Sequence, residues 1–108
     1  SLKVLLPVIK GWFSSDRSRG EVIALIKPQF EAKRKEVSRG KGVIRDAEIH
    51  NRVLHEILDF AQEKGFTLRG LIRSPIQGPK GNIEFLVWLR LSKGVSVEQE
   101  IVISRAIL

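Results

Sequence analysis

The chain has 108 residues and a net charge of +7, from 19 Lys and Arg against 12 Asp and Glu. That length holds one domain with one core, and 43% apolar content is enough to build it, which excludes a disordered chain. With no Cys there is no disulfide framework, thiolate zinc site or cysteine nucleophile, and apolar runs such as Phe85 to Leu89 are far too short to span a membrane.

In chain order, Leu2, Leu5, Leu6, Ile9 and Phe13 recur at helical spacing, which predicts a helix over 2–13 that starts late or bends at Pro7. Residues 14–20 read as a polar loop. Val22 to Ile26 is a continuous apolar run that suits a parallel strand covered on both faces. It ends at Lys27-Pro28, because the residue before proline is held extended and proline cannot donate to a ladder. Residues 31–45 are basic, contain Gly40 and Gly42, and read as a long mobile loop.

Asp46 is a good N-cap for the clearest element. Ile49, Val53, Leu54, Ile57, Leu58, Phe60 and Ala61 form one stripe, and Gly65 is the stop. Phe66 to Arg73 and Ile83 to Leu91 are strand-like, with turn residues from Pro75 to Asn82 between them. So short a connection makes the two strands antiparallel. The strand 83–91 is apolar on both faces, so it is expected between 21–27 and 66–73, antiparallel to both. Ser96 with Gln99 reads as a capping box for a helix over 97–108. The order helix, strand, helix, strand, strand, helix reads as the second half of an α/β sheet with an antiparallel edge.

The charge is uneven: residues 28–45 and 66–94 carry +4 each, while 46–65 carry −3. The basic segments suit a polyanion and the acidic helix does not. Lys33, Arg34, Lys35, Arg39, Lys41 and Arg45 form a candidate grip on a nucleic-acid backbone, with a solvated surface loop as the alternative. Lys27 ends an apolar strand, where open α/β sheets place ligands, and Glu84 opens another apolar strand, where a carboxylate calls for a partner. Antiparallel pairing of 83–91 beside 21–27 brings the two to one rim, within about 6 Å if each is to affect the other's charge. The alternatives are a strand-ending lysine and a carboxylate that merely reach solvent.

Gly40-Lys41-Gly42 and Gly78-Pro79-Lys80-Gly81-Asn82 have the look of phosphate-cradling loops but no P-loop spacing, and the second also suits an ordinary turn. His50 and His55 do not share a helix face, which argues against a metal site. Trp12 and Trp88 read as core residues. The opening Ser1-Leu2-Lys3-Val4 is not built like a signal peptide, and Pro7 and Lys10 interrupt its apolar stretch, so the chain reads as soluble and cytoplasmic. It lacks an initiator Met and reads as a piece of a longer protein.

Several blocks carry a resemblance. Gly20-Glu21-Val22-Ile23-Ala24-Leu25-Ile26-Lys27-Pro28-Gln29-Phe30-Glu31 resembles the K-P-Q-F-E segment of the TlyA-type ribosomal RNA 2′-O-methyltransferases, often labelled hemolysin A. The likeness extends through Gly42 to Asp46, His50, Ser74-Pro75-Ile76 and Gly78 to Leu86, and Ser1-Leu2 resembles the end of the family's D-x-S-F-I-S-L segment. It covers roughly residues 1–91. The resemblance implies a Rossmann-like, S-adenosylmethionine-dependent methyltransferase fold of the FtsJ type, with an antiparallel edge hairpin. This chain would then be the C-terminal portion of that domain, without the S4-type RNA-binding domain or the glycine-rich cofactor loop.

It further implies ribosomal RNA or ribosomal subunits as partner and two catalytic residues here, Lys27 matching the second lysine and Glu84 the glutamate of a Lys-Asp-Lys-Glu tetrad. The first lysine and the aspartate have no counterpart. The chain alone is therefore expected to be inactive and not to bind S-adenosylmethionine, and the exposed strand 22–26 is expected to pair with a second copy. A non-catalytic RNA-binding module that keeps the fold is the alternative. A membrane-active hemolysin ranks last, because the best helix is acidic.

Overall fold

A computed structural model describes residues 1–14, 20–91 and 94–108, with the backbone alone at 12–14. Helix α1 spans Leu2–Ser14, strand β1 Gly20–Ile26, and two short helices follow, α2 at Pro28–Glu31 and α3 at Arg34–Arg39. Helix α4 is Ala47–Glu63, strands β2 and β3 are Thr67–Arg73 and Phe85–Leu91, and helix α5 is Gln99–Ile107. Most of the predicted polar loop, residues 15–19, and the Trp12 side chain lie outside the described residues.

The sheet order is β1-β3-β2, and β3 runs antiparallel to both neighbours, as its two apolar faces predict. Phe85, Val87 and Leu89 point from β3 into one core with Ile26, Leu68 and Leu71. Helix α1 adds Leu2 and Leu6, α4 adds Val53, Leu54, Ile57, Leu58 and Ala61, and α5 adds Ile103 and Ala106. Asp46 caps α4 as predicted, its carboxylate accepting from Glu48 N at 2.8 Å. Gly65, at φ 96°, turns the chain out of that helix in a conformation glycine alone adopts at little cost.

The structure corrects four expectations and narrows a fifth. Strand β1 is antiparallel and is covered on one face: Ile23 is 67% exposed and Leu25 37%, because all three long helices pack on the other side. Residues 31–45 are not a mobile loop, since α2 and α3 occupy much of the segment and Val43 and Ile44 are buried. Of the two readings at Pro7 the late start is excluded: helix α1 begins at Leu2, because Glu31 accepts from Leu2 N and Ser1 Oγ accepts from Lys3 N, which satisfies amides the helix start leaves open. Ser96 does not cap α5: its hydroxyl accepts from Leu68 N at 3.0 Å, and the helix begins at Gln99. Trp88 is on the outer sheet face, not in the core, with the Arg69 and Arg90 guanidinium groups against its ring and its indole N–H donated to Glu21.

Candidate active site

The pairing of Ile26 with Phe85 is the last rung of the β1–β3 ladder, so Lys27 and Glu84 occupy the next position at one rim. Both leave the strands on the side away from Phe85 and the core, by the alternation of a strand. Glu84 is 4% exposed, and its carboxylate accepts a 2.7 Å hydrogen bond from Gln29 Nε2. Lys27 forms no ion pair with a described carboxylate. Its Nζ lies 5.2 Å from the centroid of the Phe30 ring, a cation–π distance. The rim therefore holds a cation and a carboxylate that are neighbours in register but take separate partners.

Each residue of Lys27-Pro28-Gln29-Phe30-Glu31 has a distinct task. Lys27 is extended (φ −110°, ψ 100°), as a residue before proline must be, and Pro28 opens α2 with its φ already helical. Gln29 holds Glu84, Phe30 lies beneath the lysine amine, and Glu31 accepts from Ser1 Oγ at 2.6 Å and Leu2 N at 3.0 Å. Lys27, Phe30 and Glu31, together with Ser1, Leu2, Leu5 and Leu25, line a cleft of about 180 Å³.

Gly78 and Asn82 build the other wall. A Cβ on Gly78 would stand 2.2 Å from Glu84 Oε2, although its backbone (φ −78°, ψ −171°) would suit any residue. The glycine is needed for the close approach of the carboxylate. Asn82 is 2% exposed and joins this loop to the segment before α4, its Oδ1 accepting from Ile44 N and its Nδ2 donating to Gly42 O. Below it, His50 bonds Ile44 O at 2.9 Å and meets the Phe85 ring edge-on. Burial pushes the His50 imidazole below its ordinary range, the Arg73 charge adds to this, and the Ile44 bond and Asp46 oppose it.

Of the predicted RNA-binding residues, Lys33, Arg34, Lys35, Arg39, Lys41 and Arg45 are all exposed, and none pairs with a described carboxylate. Glu36 of the same segment is held by Arg52 of α4 through two hydrogen bonds. Those bonds lower its carboxyl to about 2, against the opposing effect of burial. The basic side chains thus stand on an anchored helix and turn.

Sequence reasoning singled out Lys27 and Glu84 as candidates and Gly78 to Asn82 as a loop or turn, but not the Gln29 bond to Glu84, the Phe30 contact with Lys27, the approach of Gly78 to Glu84 or the Asn82 tie to Ile44. Of these residues Gln29 is the one with a readable signal, an amide directly after the proline that ends the strand, one turn from a carboxylate-bearing rim.

The FtsJ-like methyltransferase family matches residues 5–91 of this chain. The chain belongs to that family. It is 42% identical over 89 residues to "Putative rRNA methyltransferase YqxC" of Bacillus subtilis, a match covering 82% of this chain and 30% of that protein. It is 38% identical over 90 residues to "16S/23S rRNA (cytidine-2'-O)-methyltransferase TlyA" of Mycobacterium tuberculosis, covering 83% and 32%. A solved structure, "a putative hemolysin from Lactococcus lactis", superposes with a TM-score of 0.79 at 41% identity over 96% of this chain and 50% of that one. This FtsJ-like chain therefore spans about a third of the curated relatives it matches.

Proposed function

We propose that the whole protein is a ribosomal RNA 2′-O-methyltransferase that uses S-adenosylmethionine, and that this chain is the C-terminal part of its methyltransferase domain. The observation that carries the reading is the shared rim position of Lys27 and Glu84, with Glu84 buried and Lys27 left without an ion pair. A ribose hydroxyl is a poor nucleophile at neutral pH and must be aligned and relieved of its proton. Lys27 donates to that hydroxyl oxygen and stabilises it as its proton passes to solvent water, and stays free to do so because Gln29 rather than Lys27 bonds Glu84. Glu84, immobilised by Gln29 and Gly78, sets the electrostatics and orientation of the rim.

Neither the cleft beside Lys27 nor the one on the outer sheet face suits the cofactor. The first offers a single carboxylate, Glu31, which is already engaged by Ser1 and Leu2. The second, between Ile23, Ile72, Leu86 and Trp88, is apolar. Cofactor binding falls to the rest of the domain in this reading, and the chain alone is inactive. That rest would also cover Ile23, Leu25 and the exposed Val4, Leu5 and Val8 of α1.

The exposed basic residues from Lys33 to Arg45 contact the RNA backbone. The reading places the protein with ribosomes in the cytoplasm, and no helix among the described residues is long and apolar enough to cross a membrane. In the isolated chain, the free edge of β1 pairs with a second copy.

The test is transfer of a tritiated methyl group to ribosomal subunits by the full-length protein. The expected product is label in an alkali-resistant dinucleotide, which a 2′-O-methyl group creates by blocking strand cleavage. Label confined to alkali-released mononucleotides, or no label in RNA, would contradict the reading.

A further inference from the structure

Two turns, 39 residues apart in the chain, carry the same dipeptide in the same uncommon backbone. Lys41 (φ 54°) precedes Gly42 (φ 88°), and Lys80 (φ 59°) precedes Gly81 (φ 80°). Among the described residues, these two lysines are the non-glycine positions with positive φ. Left-handed backbone disfavours a long L side chain, and such turns are ordinarily filled by Gly, Asn or Asp. Packing does not account for the choice, because both lysines are exposed.

The two turns also touch. Lys80 Nζ donates to Lys41 O at 3.4 Å, and a Cβ on Gly42 would lie 3.6 Å from that Nζ. Buried Asn82 locks them together, donating to Gly42 O at 2.9 Å and to Pro79 O at 3.1 Å while accepting from Ile44 N at 3.0 Å. Gly40 packs so tightly that a Cβ there would be 1.9 Å from Val43 O. Neither lysine has a described carboxylate within 4.0 Å, and each ammonium keeps donors to spare. The same loop is tied to the rim: Gly78 N donates to Asn82 O at 2.8 Å, and Gly78 abuts Glu84.

We propose that Lys41 and Lys80 form a clamp for a backbone phosphodiester of RNA, with Asn82 as the residue that positions both turns. The ligand rests on the RNA-methyltransferase reading above. The clamp adds Lys80 to the basic segment and gives the RNA a fixed point one loop away from Glu84. Strain tolerated at two adjoining lysines is the expected signature of side chains selected for what they bind.

The experiment titrates this chain into a fluorescein-labelled single-stranded RNA dodecamer across a series of KCl concentrations. Lys41→Gln and Lys80→Gln should each flatten the slope of log affinity against log salt by about 0.7, and the double variant by about 1.4. Lys41→Gly and Lys80→Gly should weaken binding without lowering the thermal midpoint, since glycine suits the backbone; a purely structural lysine would not separate the two readouts. Asn82→Ala, shown to be folded by circular dichroism, should weaken binding with both charges still present. A wild-type slope in the double variant, or wild-type affinity in folded Asn82→Ala, would overturn the clamp alone. No RNA binding by the wild-type chain would also overturn the clamp, while the RNA-methyltransferase reading stands or falls separately on methyl transfer by the full-length protein. Displacement of the RNA by low-millimolar inorganic phosphate would reassign the pair to a free anion and overturn the proposal.

Discussion

The Gln29 side-chain amide donates to the Glu84 carboxylate at 2.7 Å, and both side chains are more than nine-tenths buried. The residue that holds the glutamate is therefore not the neighbouring lysine. A buried carboxylate whose donor is removed bears the full cost of its lost solvation. Gln29→Leu should destabilise the chain by about 1–3 kcal/mol, whereas Lys27→Leu, at a half-buried site without an ion pair, should cost less. Urea denaturation of the two variants checks the order, and equal losses would contradict it.

Gly78 makes a second claim on the same carboxylate. Because a Cβ there would sit 2.2 Å from Glu84 Oε2, Gly78→Ala should displace the glutamate and cost about 1–3 kcal/mol. In a Glu84→Ala background the clash is gone and the cost should largely disappear. A double-mutant cycle reads this as coupling, and additive losses would show that Gly78 serves the turn and not the carboxylate.

The pH dependence follows from two groups. The folded His50 titrates below its unfolded value of about 6.5, so the unfolded chain takes up the proton first on acidification. Stability held above that value should decline as pH falls below it, and His50→Gln, which cannot titrate, should flatten the decline. Glu36 titrates at about 2 when folded, because of Arg52. Its contribution is present above about pH 4.5 and is lost as pH falls toward 2, so Glu36→Gln should act in that lower window. Thermal midpoints across the pH range separate the two variants. Coincident profiles for wild type and His50→Gln would rule out the histidine.

What was legible in the sequence was local. Helix α4 and the two strands after it carry strong periodicity and clear stops, and two apolar faces alone place β3 at the centre. The segment 31–45 was misread because its order comes from distant residues, Arg52 and Asn82, that no local pattern points to. Trp88 was misread because Arg90 of its own strand, with Arg69 and Glu21 of the two neighbouring strands, engages its ring on the outer face. At the site, Lys27 and Glu84 could be read from strand order, whereas the Gln29–Glu84 bond spans 55 residues and leaves no spacing to find.

Strand β1 is a sheet edge, and its outer face exposes Ile23. An unpaired, apolar edge is a template for another strand, and a two-fold pair satisfies both copies. Sedimentation equilibrium should show the isolated chain as a dimer at micromolar concentration, and Ala24→Pro should shift it toward monomer if it remains folded. A wild-type monomer throughout would contradict edge pairing.

In the proposed mechanism Lys27 acts on the RNA hydroxyl, while Gln29 and not Lys27 holds Glu84. The most direct measurement is methyl transfer to ribosomal RNA by the full-length protein carrying Lys27→Ala, alongside its thermal midpoint and RNA affinity. Methylation should be lost while RNA binding and stability stay close to wild type. Methylation retained at the wild-type rate in the folded variant would contradict the mechanism.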